Sequence, residues 1–176
     1  LDSSINEIAS MPTKLDFYIS GELARIDQST KIGTQTTIID TLLKRNILLI
    51  NLMDKKFGII LDGNDTSDVE NIIYSEESED FLGIECKKAI INSINKKTKK
   101  STTSTIYYTN KIDNSYNINF KKLKGFPIYY EIISDNIIST YLAVEIINKN
   151  INPKIFEIDN NTSIYKMEEF RALMTQ

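Results

Sequence analysis

The chain has 176 residues and no histidine, and that absence limits what its other reactive side chains can do. Histidine is the side chain that titrates near neutrality without help. Its lack removes Ser-His-Asp and Cys-His arrangements, imidazole general bases, and most zinc and non-haem iron sites. The remaining strong nucleophile is the sole cysteine, Cys86, in "LGIECKKAII". A reactive thiolate needs a base or a cation beside it. Lys87 and Lys88 follow directly, but neighbours on a strand point to opposite faces, so a structural thiol is expected. One cysteine also excludes an intramolecular disulfide and a Cys-based zinc site. Paired carboxylates can drive hydrolysis, yet no spacing here marks a pair. The expectation is a protein that is not an enzyme, with no catalytic residue, no metal and no cofactor.

Three charged runs carry the remaining chemistry. "DGNDTSDVE", Asp62 to Glu70, resembles a calcium loop. An EF-type loop needs alternate oxygen ligands, glycine at the sixth position and a bidentate glutamate at the twelfth. Here glycine is second and Ser67 is sixth, so a solvated loop is expected. "SEESED", Ser75 to Asp80, is likewise expected to be a solvated connection. "KKTKK", Lys96 to Lys100, has the charge to meet phosphates or anionic lipid headgroups. No aromatic residue interleaves with it, and a charged hairpin tip between two strands accounts for it. The net charge is −3 with both signs interspersed, so there is no basic face for nucleic acid.

The elements that hold these residues are mostly strands. Short runs rich in Ile, Tyr and Thr recur between turn residues. They predict strands near Lys14–Ile19, Glu22–Gln28, Thr34–Asp40, Asn46–Leu52, Phe57–Leu61, Val69–Tyr74, Ile84–Ile94, Thr102–Thr109, Phe126–Ser134 and Ile137–Asn148. Ser20-Gly21 is expected to turn the first pair, and Asp54-Lys55 with Lys56 to turn "NILLINLM" into "KFGIIL". No strand–helix–strand alternation appears, which points to an antiparallel sheet in one domain spanning 1–176. The helix expected on periodicity is C-terminal. In "TSIYKMEEFRALM", Met167, Phe170, Leu173 and Met174 recur at helical spacing, with Thr162 or Ser163 as the cap. Ile5, Ile8 and Ala9 are spaced for a further helix that Pro12 would end. No apolar run reaches 18 residues, so no transmembrane segment is expected.

The run "KLKGFPIYYEII" sets a problem of its own. A strand with one wet face alternates apolar and polar residues, and this one does not. With Asp135-Asn136 as a two-residue turn, one face pairs Ile133 with Ile138, Glu131 with Thr140, Tyr129 with Leu142 and Pro127 with Val144. The other pairs Ile132 with Ser139, Tyr130 with Tyr141 and Ile128 with Ala143, and sets Phe126 beside Glu145. Both faces carry large apolar groups. Either something covers both, or one lines a cavity. Pro127, with no N–H to donate, fits the start of such a strand beside Gly125.

"FLGIECKKAI", "STIYYT", "LKGFPIYYEI", "TYLAVEI" and "KIFEI", in that order, resemble a bacterial envelope family without an assigned function. That family is related to the LolA/LolB-like superfamily of periplasmic lipoprotein carriers. Earlier, "LDFYISGELARIDQS", "TTIID" and "ILLINLMDKKFGI" fit its leading hairpins, so the likeness runs from Lys14 to about Ile158. Its most specific marks are Gly83 with Cys86, and Gly125-Phe126-Pro127 before a Tyr-rich strand. The chain departs from the pattern at Asp159, where the family tends to have proline. The resemblance implies a mainly β fold: a strongly curved antiparallel sheet, an incomplete barrel, with helical cover over its concave face.

The function expected on these grounds is that of an exported binding protein with an apolar concave face, carrying a lipid or lipoprotein acyl group. Phe126, Ile128, Tyr130 and Tyr141 are the expected cavity lining. The alternative is a structural or protein-interaction module of the envelope, with a protein partner and no small ligand. The start at Leu1, together with the resemblance, leads to an expectation of export to the periplasm or outer membrane.

Overall fold

The structure, a computed structural model, describes residues 11–31, 33–52, 55–61, 68–95, 99–134 and 137–175. The chain is mainly β, and every strand expected from the sequence forms, in the expected order. One domain was the expectation; the chain divides into two compact units, residues 1–64 with 150–176 and residues 65–149. The proposed helix around Ile5, Ile8 and Ala9 and the acidic run from Asp62 to Ser67 lie outside the described residues. Among the described residues, no helix is long and apolar enough to cross a membrane.

The first unit holds strands β1 (Lys14–Ser20), β2 (Leu23–Thr30), β3 (Gly33–Asp40), β4 (Arg45–Leu52), β5 (Lys55–Leu61) and β11 (Ser163–Lys166), then helix α1 (Met167–Met174). They form one open sheet in the order β1-β2-β3-β4-β5-β11. The first turn uses Gly21 and Glu22 rather than Ser20 and Gly21, because Ser20 pairs with Leu23 and Gly21 takes a left-handed φ of 56°. That conformation is free of strain only for glycine. Lys55 and Lys56 do not turn the chain but belong to β5, opposite Leu52 and Asn51 of β4; Met53 and Asp54 lie outside the described residues.

Two findings at the C-terminus were not expected. β11 pairs with β5 in parallel, the one parallel pair among the described residues. It also takes Ser163 into a strand, so α1 starts at Met167 and neither Thr162 nor Ser163 caps it. The carboxylate of Glu169 reaches back to accept the Lys166 N–H at 2.9 Å. Gly58 leaves room for the close side chains beside the parallel pair. A Cβ there would stand 3.2 Å from both Ile164 Cγ1 and Ile47 Cγ2. Only part of the apolar stripe of α1 docks on the sheet: Phe170 lies edge-on to Phe57 at 5.5 Å, while Leu173 and Met174 are exposed.

The second unit is a five-stranded antiparallel meander: β6 (Asp68–Phe81), β7 (Ile84–Asn95), β8 (Ser101–Thr109), β9 (Phe126–Ser134) and β10 (Ile137–Leu142). Neither sheet closes on itself. The β9–β10 register is the one read from the sequence: Ile133 opposite Ile138, Tyr130 opposite Tyr141, Tyr129 opposite Leu142. β10 ends at Leu142 rather than Asn148. In this register, positions beyond Glu145 would lie opposite residues before Phe126, where β9 has not yet begun. "SEESED" is not a connection but the second half of the long strand β6, with a register shift between Tyr74 and Ser78. Its carboxylates stay exposed, and Glu77 takes a 2.7 Å hydrogen bond from Lys88 on β7.

One face of this sheet, through Ala89, Ile91, Ile106, Tyr108 and Tyr130, is covered by the loop between β8 and β9. Phe120 and Leu123 from that loop pack into the cluster. Asparagines hold it in place, where helical cover had been the expectation. Asn114 Nδ2 donates to the carbonyls of Phe120, Lys121 and Leu123 at 3.1, 3.2 and 2.7 Å. Buried Asn117 accepts from the N–H groups of Asn119 and Phe120 and donates to Asn114 Oδ1 at 3.0 Å. These bonds satisfy backbone groups that a loop seated on a core would otherwise leave unpaired.

Candidate functional site

The four residues expected to line a cavity do not share one wall. Tyr130 and Tyr141 stack at 4.8 Å in the cluster under the Phe120 loop. Phe126 and Ile128 belong to a separate cluster with Cys86, flanked by Phe81, Tyr107 and Ala143. The cause is a bulge. Tyr107 pairs with Tyr129, but its neighbour Tyr108 pairs with Pro127, leaving Ile128 as the extra residue on β9. In the alternation set by the partners of Tyr129, the backbone N of residue 127 would point towards β8. Proline cannot donate there, and the ladder shifts at that residue. Side chains that an unbroken strand would stack on one face are thereby shared between two clusters.

Cys86 is fully buried, and its thiol donates to the Ile84 carbonyl at 3.4 Å. Burial, and then the nearby Asp80 carboxylate, push the thiol pKa up, which keeps it protonated at neutral pH. Alkylation of the folded chain by iodoacetamide at pH 8 should therefore run on the order of a hundredfold slower than for a free thiol, and reach the free rate in denaturant. Native-state labelling at the free rate would show Cys86 to be an accessible nucleophile.

Among the described residues, no three His, Cys, Asp or Glu side chains come together as metal ligands. Most of the resolved shifts belong to surface pairs and to phenols that lose solvent. The Lys88 ammonium lowers the Glu77 carboxyl by hydrogen bonding to it, and Lys56 does the same to Asp159. Desolvation raises the phenols of Tyr108, Tyr130 and Tyr141. Of "KKTKK", Lys99 and Lys100 are described, and they close the β7–β8 connection through bonds from Lys99 N to Asn95 O and from Asn95 N to Lys100 O.

An open cavity of about 310 Å³ lies in the first unit. Its floor is Leu23, Ile38 and Ile47 from β2, β3 and β4, and Ile164 of β11 borders it. Its roof is Phe156 and Ile158, from a segment laid across the sheet. That segment opens with a 3₁₀ turn, Pro153–Phe156, capped by Asn152, whose side chain accepts from Lys154 N at 3.0 Å. Two anchors hold it. Phe156 is buried, and Arg25 Nη1 donates to the Ile155 carbonyl at 2.9 Å. Arg25 is itself oriented by Asp27, whose carboxylate accepts from Arg25 Nε at 2.9 and 3.0 Å and from the Thr36 hydroxyl at 2.6 Å. At the polar end stand Asp40 and Arg45, directly opposite each other where β3 turns into β4. Asp40 accepts the Leu43 N–H at 2.8 Å and so fixes the turn, while Arg45 is exposed. Leu42 and Leu43, at the tip of that turn, are 74% and 62% exposed.

None of these wall residues stood out in the sequence. The signals present were Arg25 and Asp27 two apart on one strand face, and the Asn152-Pro153 start of the roof. Comparison with family models, with curated proteins and with solved structures found no match to this chain.

Proposed function

We propose that the chain is a non-enzymatic binding protein for a single apolar chain, of the kind found in a lipid or lipoprotein acyl group, taken up in the first unit. The observation that carries this reading is the cavity between the β2–β3–β4 floor and the Phe156–Ile158 roof. Its volume of about 310 Å³ is at the small end of ligand pockets, which run from about 300 to 1,000 Å³. Its walls are aliphatic and aromatic, and its polar groups sit at one end, as an amphiphile requires. Arg45 there offers a cation to a carboxylate or phosphate head, while the Asp40 carboxylate opposite it is engaged by the Leu43 N–H. The exposed Leu42-Leu43 tip beside it gives an apolar approach from a lipid phase. The lack of histidine, and charged groups dispersed into surface pairs, support binding without catalysis.

The test is displacement of 8-anilinonaphthalene sulfonate by decanoate, alongside native mass spectrometry of the purified protein. Ile158→Trp fills the cavity and should weaken decanoate binding at least tenfold, about 1.4 kcal/mol, with little change in Tm. Arg45→Gln should weaken decanoate roughly threefold to tenfold and leave decanol unchanged, since only the acid has a charge to lose. Absence of displacement by either compound, with no lipid in the native mass spectrum, would sink the reading.

A further inference from the structure

The four sheet edges differ in how they meet solvent. β1 carries Lys14 and Asp16, β6 carries a run of glutamates, and β11 is four residues long and ends in Lys166. Charge and shortness are the usual protections against edge-to-edge pairing. β10, "IISTYL", has neither a charge nor a proline, and no bulge interrupts its pairing with β9. Ile138 and Leu142 on it are 64% and 51% exposed.

The hydrogen-bonding direction of β10 is known from its neighbour. Ala143 N donates to Ile128 O at 2.9 Å, so Ala143, Tyr141, Ser139 and Ile137 turn their backbone groups towards β9. Ile138, Thr140 and Leu142 therefore turn theirs to the open edge. Ile138, Thr140 and Leu142 also share one sheet face, the face opposite the Tyr130–Tyr141 stack.

From this we infer that β10 is a self-association edge, which pairs antiparallel with β10 of a second copy of this chain about a two-fold axis at Thr140. Facing residues in an antiparallel ladder must lie on one face, and both must point their N–H and C=O groups across the gap. A register that sets Thr140 opposite its own copy and Ile138 opposite Leu142 satisfies both conditions for all three outward-pointing residues. A shift by one residue along the strand would satisfy neither. The pairing joins two five-stranded sheets into one of ten strands. It also brings the exposed isoleucine and leucine of each copy together in one row with the two threonines. No charge opposes a like charge across the paired residues, a condition that a symmetric contact imposes on itself.

Sedimentation equilibrium of the full chain tests it. The wild type should move from one chain mass towards two as concentration rises from micromolar to millimolar. Thr140→Lys sets two ammonium groups against each other at the axis and should leave a monomer throughout, with the circular dichroism of the folded chain retained. Facing hydrogen-bonded residues have Cα atoms about 5.5 Å apart, within the roughly 4.4–6.8 Å that a disulfide spans. The Thr140→Cys variant should thus form a covalent dimer under mild oxidation, while Glu85→Cys, at an exposed site away from the edge, should not. If Thr140→Lys fails to fold, the Thr140→Cys cross-link alone decides. A monomeric wild type at millimolar concentration, a dimer indifferent to Thr140→Lys, or equal cross-linking from both cysteine variants would overturn the assignment.

Discussion

Gly125→Ala should destabilise the second unit by about 3 kcal/mol, the upper end of what overpacking costs. The added methyl has nowhere to go. A Cβ at residue 125 would collide with the Thr109 carbonyl oxygen and would lie 2.7 Å from both Asn110 Oδ1 and Tyr108 Cδ2. Asn110 can rotate away. Thr109 and Tyr108 cannot, because both are buried and both belong to the end of β8, pinned by its ladder with β9. The strain would pass into the start of β9, where Phe126 and Pro127 form the last pairs beyond the bulge. Gly83→Ala provides the comparison. Gly83 has a left-handed φ of 75° and nothing within 4 Å of its would-be Cβ, so alanine there meets only the conformational cost of about 1–2 kcal/mol. Urea denaturation, followed by alkylation of Cys86 so that it reports the second unit, measures both. A Gly125→Ala chain as stable as Gly83→Ala would show that β8 yields, and that the close approach of Gly125 is not what fixes this corner.

The same corner shows where the sequence was legible and where it was not. The β9–β10 register could be read because everything that sets it is local: the short separation between Ser134 and Ile137, which pair, and alternation along two short runs. The bulge at Ile128 could not be read in the same way. Pro127 announced a missing donor, but which ladder would lose it depends on whether residue 127 faces β8 or β10, and that follows only from the whole meander. The splitting of Phe126 and Ile128 from Tyr130 and Tyr141 comes from that one extra residue. The loop over Phe120 and Leu123 was hidden for another reason. Asn114 and Asn117 look like ordinary turn formers until their amides are seen bonded to carbonyls and N–H groups across the loop. β11 and the cavity were the least legible. The partner of Ser163 is Phe57, and the cavity joins Leu23 to Ile158, pairings of distant segments for which periodicity has no signal. "SEESED" misled because charge density reads as loop, whereas an edge strand exposed on one side tolerates the same residues.

Tyr130 separates a packed core from a lined cavity. If Tyr130 bounded an empty space, Tyr130→Ala would enlarge that space and leave the fold standing. The structure packs it on two sides: Phe120 lies edge-on at 5.2 Å and Tyr141 is stacked at 4.8 Å, and the side chain is buried. Tyr130→Ala should therefore cost about 3–5 kcal/mol, as for other large aromatic truncations. Tyr130→Phe keeps the ring and removes only the hydroxyl, so it should cost only about 1 kcal/mol. The pH dependence adds a readout that packing alone would not move. Burial, and secondarily the neighbouring Tyr141, raise the Tyr130 pKa in the folded chain, so the fold favours the neutral phenol. In the unfolded chain the phenol ionises near pH 10. Below that pH both states hold the proton, and its contribution to stability is full and constant. Above it the unfolded chain releases the proton while the folded chain keeps it, and stability falls with rising pH. Tyr130→Phe lacks that loss. Its disadvantage of about 1 kcal/mol at pH 8 should therefore shrink as pH rises past about 10, and then reverse. Urea titrations of wild type and Tyr130→Phe at a series of pH values from 8 to 11.5 would show the crossing. A gap that stays constant over that range, together with a Tyr130→Ala chain of near wild-type stability, would mean that Tyr130 faces solvent or a cavity and not the core beneath the Phe120 loop.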